Sequence, residues 1–227
     1  MKIGIIVAMG KELRLLLNLI ENQKEVTENG YKIYSGNIGQ HEVYAMQCGI
    51  GKVNAAIGTL SLIDLFSPEL VINTGVAGGA DLSVGQMDIV VGERIAYHDV
   101  WCGPGTEYGA ASGFPLYFES DKEVLSVANS IQPDIINGLI CSGDKFIASA
   151  EEINEIKSHF PDVMAVDMES ATIAQVCYLK QTKVFIMRVI SDTPGVEHDN
   201  SKQYENFWES APEHTFEALA QILNKLG

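Results

Sequence analysis

The sequence predicts one α/β domain spanning residues 1–227, built as three layers with helices on both faces of a central, mixed but mostly parallel twisted sheet. Three observations predict it. Short β-branched runs alternate with helical patterns along the whole chain, as a covered parallel sheet requires. With 227 residues, 46% of them hydrophobic, the chain is long enough for one substantial core and short enough to remain a single α/β unit. No repeat or low-complexity segment interrupts the alternation.

The elements follow in order. "KIGIIVA" is a β-branched run ending at small residues, and "KELRLLLNLI" after it carries apolar residues at helical spacing. "YKIYSGNI" and "HEVYAMQC" alternate around Gly39-Gln40 and predict a hairpin. "KVNAAIGTLSLIDLF" reads as a helix entering the strand "ELVINTG". The runs "DIVVGERIAYH", "GLICS", "VMAVDM" and "VFIMRVIS" predict further strands, with helices near 121–131, 149–158 and 169–179 and one terminal helix over 203–226. "WCGPGTEYGAASGFP" is the one long Gly/Pro-rich loop, a feature more often used for binding or interfaces than as idle linker.

Composition excludes several function classes. A net charge of −15 leaves no basic stripe to displace counterions, so neither nucleic acid nor an anionic membrane is an expected partner. Cys48, Cys102, Cys141 and Cys177 are scattered without CxxC or Cys/His ligand spacing, which predicts buried free thiols and neither a zinc site nor a disulfide framework. "MKIGIIVAMGKE" reaches charge too soon for a signal peptide and no apolar run has membrane-spanning length, so a cytoplasmic location is expected.

Polar clusters fall at predicted strand ends, where ligands of parallel sheets gather. Glu12 lies just past the first strand, "NTGVAGG" ends a central one with glycines that permit close backbone approach, Asp167 and Glu169 follow "VMAV", and Asp192 ends the strand that carries Arg188. Each alone has an ordinary explanation. Glu12 and Glu169 would suit the first turn of a helix, and Asp192 a turn before Pro194-Gly195. Together on one rim they predict a site. Two carboxylates two positions apart in the apolar frame "AVDMESATIA" need such a reason, since an unpaired buried carboxylate costs several kcal/mol, on the order of 2–7 for an uncompensated polar group. "GIGKVNAA" matches neither phosphate-loop pattern, so Gly49 and Gly51 are expected to shape a turn into a helix beginning near Lys52.

With "MKIGIIVAM" and Glu12, "GIGKVNAA", "VINTGVAGG", "DIVV" with "YHD", "SGDKFI", "AVDMESATIAQVC" and "MRVISD" in this order, the chain resembles the 5′-methylthioadenosine/S-adenosylhomocysteine nucleosidases. These are hydrolytic members of the purine nucleoside phosphorylase superfamily. The resemblance implies a nucleoside phosphorylase-like fold and hydrolysis of an N-glycosidic bond to adenine, with nucleoside and water as partners and neither cofactor nor metal. It implies that Asp192 is the general acid toward adenine N7, which requires burial to keep it protonated, and that Glu12 activates water on the opposite face while Arg188 orders it. Glu169 would grip the ribose hydroxyls with the Met168 backbone assisting and the Met168 side chain under the sugar; Asp167 would support the turn. Phe146 would stack on the base and the Ile147 backbone would bond its edge. Met9, Ile50 and Tyr204 are expected as apolar walls, Tyr204 near the 5′ substituent, and Ser191 is counted with the substrate contacts.

The sequence departs from the family pattern at two places. Val76 stands where many relatives carry Ser, and "HDVWCGPGTEYG", with Trp101, differs in length and composition in a region that helps build the 5′ pocket at a dimer interface. A homodimer is expected from the resemblance and the apolar "VWCGPG" loop. The alternatives are a purine nucleoside phosphorylase, a futalosine-type hydrolase and a catalytically silent nucleoside-binding protein. Neither "AMGKE" nor "NTGVAGG" offers the arginine a phosphate would need, and Glu12 would repel it.

Overall fold

The computed structural model describes every residue except 132–133, 195–199 and 211–213; the predicted turn at Pro194-Gly195 therefore lies partly outside the described residues. The first element is β1 (Lys2–Val7), whose Ile3, Ile5 and Val7 face one layer of helices while Ile6 faces the other. Such two-sided burial is why the run is nearly continuous in apolar residues instead of alternating. Gly4 sits under the opposite layer, where a Cβ would lie 2.8 Å from Leu62 Cδ2.

After β1 come α1 (Gly10–Leu17), β2 (Glu21–Glu28), β3 (Tyr31–Ile38), β4 (His41–Gln47), α2 (Lys52–Phe66) and β5 (Leu70–Gly79). Next are β6 (Ile89–Tyr97), β7 (Phe118–Glu119), α3 (Lys122–Ile131), β8 (Ile136–Ser142), α4 (Ala150–His159), β9 (Val163–Asp167), α5 (Ser170–Lys180) and β10 (Lys183–Asp192). The chain ends in α6 (Asn200–Ser210) and α7 (His214–Lys225). The terminal helix expected over 203–226 falls on α6 and α7, and residues 211–213 between them lie outside the described residues. The expected first helix stops at Leu17, and β2 follows where no strand was predicted, because "ENQKEVTE" is exposed throughout and owes its strand form to pairing with β3 and not to an apolar pattern.

The sheet runs β10-β6-β8-β9-β5-β1-β4-β3-β2, and β10 also pairs with β5. Parallel pairing joins β4, β1, β5 and β10 through the centre and β6, β8 and β9 beyond it. Among the described residues, antiparallel pairing is confined to the β2-β3-β4 flap, the short β7, and the seams β10–β6 and β5–β9. The strand before "GIGK" is accordingly antiparallel to β3 but parallel to β1. Because β5, β10, β6, β8 and β9 pair in a circle, half of the sheet closes on itself and brings the ends of β5, β9 and β10 together. The seam at Gly78–Gly79 is tight, with a Cβ on Gly79 only 3.2 Å from Ile190 and Thr193.

One apolar layer joins the sheet to α7, α1 and α3 through Leu16, Val124, Phe216, Leu219 and Leu223. The opposite layer joins it to α2 and α5 through Ala55, Leu62, Ile173 and Cys177. Three cysteines are buried as expected, but Cys102 is exposed on the long loop. Among the described residues no helix is long and apolar enough to cross a membrane.

Candidate active site

The turn from β1 into α1 places Glu12 at the third helical position, where a carboxylate can reach back to free backbone donors. Its Oε2 accepts from Ala8 N (3.0 Å) and Met9 N (2.8 Å), and Oε1 accepts from Val76 N (3.1 Å) at the end of β5. Gly75 is what admits it, since a Cβ there would stand 2.3 Å from Glu12 Oε1. Glu12 is 3% exposed, and burial raises its pKa against the lowering effect of these hydrogen bonds and of the Arg188 charge.

Asp167 and Glu169 flank the turn from β9 into α5 and divide their work. Asp167 faces inward. Its Oδ1 accepts from Ser142 Oγ and from the N–H groups of Glu169 and Ser170, both at 3.3 Å, while Oδ2 accepts from Ser170 Oγ and from Arg188 Nε at 2.8 Å. Glu169 faces the cavity and is 7% exposed, with Oε1 accepting from Gly51 N at 2.8 Å. Burial first, then the charge of Asp167, push its pKa up to about 7.

At the end of β10 the register with β5 shifts between Ile190 and Asp192, an irregularity of the kind that re-aims a side chain. Asp192 is 2% exposed and accepts from Ser191 Oγ at 2.7 Å. One cavity is lined by Glu12, Glu169, Asp192, Ser191 and Val76, and Asp167 borders it too, with its carboxylate taken up by Arg188, Ser142 and Ser170. Met9, Ile50, Phe146, Ile147, Met168 and Tyr204 line it as well. Phe146 and Tyr204 meet edge to face at 5.9 Å, and Tyr204 Oη approaches Met9 Sδ at 3.2 Å.

Arg188 is the one predicted site residue set back from this wall. Its Nε bonds Asp167, its Nη2 bonds Asn73 Oδ1 and Ser170 Oγ, and its Nη1 bonds the Met187 carbonyl, so its donors point into the network behind the turn. The physical reason is Asp167, a buried carboxylate that captures the guanidinium more strongly than a wet cavity would. Sequence reasoning missed Asn73, Ser142 and Ser170, whose polar groups hold that network, and Lys145, which lines the cavity and pairs with Glu152 at 2.5 Å. Ser142 ends β8, but Asn73 lies within β5, Ser170 opens α5 and Lys145 sits in the loop after β8, so no shared sequence signal marked them.

A circle of strands opening on a cavity walled by three carboxylates and an aromatic ring defines a nucleoside-processing α/β protein of the phosphorylase type. Residues 2–224 match the model of the phosphorylase superfamily, and the chain belongs to that superfamily and to its 5′-methylthioadenosine/S-adenosylhomocysteine nucleosidase branch. The Streptococcus pneumoniae nucleosidase of that name, in complex with the transition-state inhibitor MT-ImmA, is 36% identical, with a TM-score of 0.94 and both chains covered at 100%. The Neisseria meningitidis nucleosidase with methylthio-immucillin-A is 34% identical over 99% of each chain, with a TM-score of 0.92. The futalosine hydrolase of Helicobacter pylori is 26% identical at a TM-score of 0.92, covering 99% of this chain and 98% of its own.

Proposed function

We propose that this protein hydrolyses the N-glycosidic bond of 5′-methylthioadenosine and S-adenosylhomocysteine, and of 5′-deoxyadenosine, releasing adenine and the 5-substituted ribose. The observation that carries the reading is the placement of Glu12, Glu169 and Asp192 around one cavity whose aromatic wall is Phe146. The bond breaks only if the base leaves without a full negative charge and the sugar's developing positive charge is met. Asp192 delivers a proton to adenine N7. Glu12 takes the proton of the attacking water, and its raised pKa makes it a stronger base than a surface carboxylate. Glu169 holds the ribose hydroxyls while its charge faces the oxocarbenium-like sugar. Arg188 acts from behind, fixing Asp167 and lending its charge to the ionised forms of Glu12 and Glu169.

Water is favoured over phosphate as nucleophile. Three carboxylates face the cavity, its lining cation Lys145 is already paired with Glu152, and Arg188 is committed elsewhere. The protein is incubated with methylthioadenosine in phosphate-free buffer and adenine release is followed. Release in that buffer is expected; release only after phosphate is added selects the phosphorylase. Adenine binding without release selects the silent binder, and faster release from futalosine selects the hydrolase of that class.

The reading includes a homodimer in the cytoplasm, serving methionine salvage with no nucleic-acid or membrane partner. Its support is α2, which buries Ala55, Leu62 and Ile63 and exposes Val53, Ile57 and Leu60, while Trp101 on the long loop is exposed as well. Apolar residues that a helix leaves exposed are unserved by its own core. Light scattering is expected to give a dimer, and Ile57→Asp a monomer; a monomeric wild-type protein at working concentration overturns the assembly.

A further inference from the structure

The "GIGK" turn matches no phosphate-loop pattern, yet its geometry is specific. Gly49 and Gly51 sit at φ +96° and +92°, left-handed conformations that favour glycine. The two consecutive N–H groups entering α2 go to carboxylates of two different segments. Gly51 N donates to Glu169 Oε1 at 2.8 Å, and Lys52 N donates to Asp144 Oδ1 at 2.7 Å. Asp144 N in turn donates to Asp99 Oδ2 at 2.9 Å, and Lys52 Nζ reaches Asp99 Oδ1 at 2.6 Å. Glycine is needed at 51 for a second reason, since a Cβ there would lie 3.0 Å from Asp144 Oδ1.

Asp144 opens the irregular segment 143–149 that carries Phe146 and Ile147. The far end is tied to α4, where Ala148 N donates to Glu152 Oε2 at 2.7 Å. Without Asp144, the near end would be held by Gly143 N on the Asp167 carbonyl and by the backbone bond to Asp99. We propose that Asp144 is a positioning residue, which by docking on the first turn of α2 holds Phe146 and Ile147 at a fixed offset from Glu169. This deepens the nucleosidase reading and rests on it. The physical basis is a charge-assisted bond to a helix N-terminus, where donors are free and the dipole favours an anion. The same turn thereby gauges both halves of the ligand, the sugar through Gly51 and the base through Lys52. The effect belongs to the base, so it is the same whatever group the 5′ carbon carries.

The test compares wild type, Asp144→Ala and Asp144→Asn. Adenine affinity is titrated, kcat and KM are measured for methylthioadenosine and 5′-deoxyadenosine, and backbone hydrogen exchange of residues 143–149 is followed without nucleoside. Asp144→Ala is expected to lose adenine affinity roughly tenfold or more, the scale of one hydrogen bond to a charged group. KM for both nucleosides should rise by a common factor while kcat stays within about threefold, and exchange in 143–149 should accelerate. Asp144→Asn, which keeps an acceptor for Lys52 N, should recover most of the loss. Unchanged adenine affinity in Asp144→Ala, or a KM effect that differs between the two nucleosides, overturns the proposal. If wild-type protein releases no adenine, it is the nucleosidase reading that fails. The exchange data still decide the docking, because equal rates in wild type and Asp144→Ala would overturn it.

Discussion

The region behind the 167–170 turn and the region in front of it hold the same kinds of groups in opposite states. Behind it, Asp167 is saturated by Arg188, Ser142, Ser170 and two backbone N–H groups. In front of it, Glu169 is equally buried but among the described residues its carboxylate accepts one hydrogen bond, from Gly51, and its pKa is pushed up to about 7. Burial therefore does not distinguish Glu169 from Asp167; the donors around each do, five at Asp167 against the one from Gly51 at Glu169. A saturated carboxylate is cheap to keep ionised and unavailable to a ligand, whereas a carboxylate with open acceptor positions keeps its desolvation cost until a ligand's hydroxyls meet it.

The strongest way to break this contrast is in the front region. Asp192→Asn and Glu12→Gln each remove proton transfer and are expected to lower kcat by about 10²–10⁴-fold; nucleoside binding should survive in Asp192→Asn, whereas Glu12→Gln also turns an amide NH2 toward a backbone N–H donor. Loss of binding in a titration of folded Asp192→Asn would contradict its role as acid. Behind the turn the expected loss is in stability: Asp167→Ala leaves the Arg188 guanidinium buried at 2% exposure without its partner, a change worth about 3–5 kcal/mol. Denaturant unfolding measures it, and a variant within about 1 kcal/mol of wild type would show that water or Asn73 replaces the carboxylate at little cost.

The pH dependence sharpens the same comparison. Between its ordinary 4.5 and its folded value of about 7, Glu169 holds a proton in the native state that the unfolded chain has released. Its contribution to stability is present below about pH 4.5 and lost as pH rises through about 7, at most about 3 kcal/mol by linkage. Glu12 works in the same direction, but it is present in both proteins if wild type is compared with Glu169→Gln. The variant should gain on wild type in melting temperature as pH climbs from 4.5 to about 7.5. Parallel curves would mean that Glu169 is solvated well enough to titrate normally.

Much of this was legible in the sequence, and for identifiable reasons. The runs "KIGIIV" and "VFIMRVIS" announce β1 and β10 because two-sided burial leaves little room for polar residues. Glu12, Glu169 and Asp192 stood out as charges in such surroundings. β2 was hidden because an exposed edge strand needs only a backbone partner, and the closure of β5 on β10 and β9 because nonlocal pairing leaves no periodic trace. Arg188 was placed on the right strand, but its direction depends on Asp167, Asn73 and Ser170 from three other segments, which spacing along one chain does not encode.

The smallest expected effect concerns Val76, already singled out in the sequence. The structure uses this residue through its backbone, whose N–H meets Glu12 Oε1, and the side chain adds an apolar surface to the cavity. Val76→Ser keeps the N–H and exchanges two methyl groups for a hydroxyl. If backbone donors are what hold Glu12, kcat should move by less than about threefold and the pH profile should keep its shape, because the lost apolar contact is partly exposed and worth little. A tenfold gain in kcat would instead mean that a hydroxyl at 76 can take part in ordering the water, and that backbone donors alone do not set the front region's chemistry.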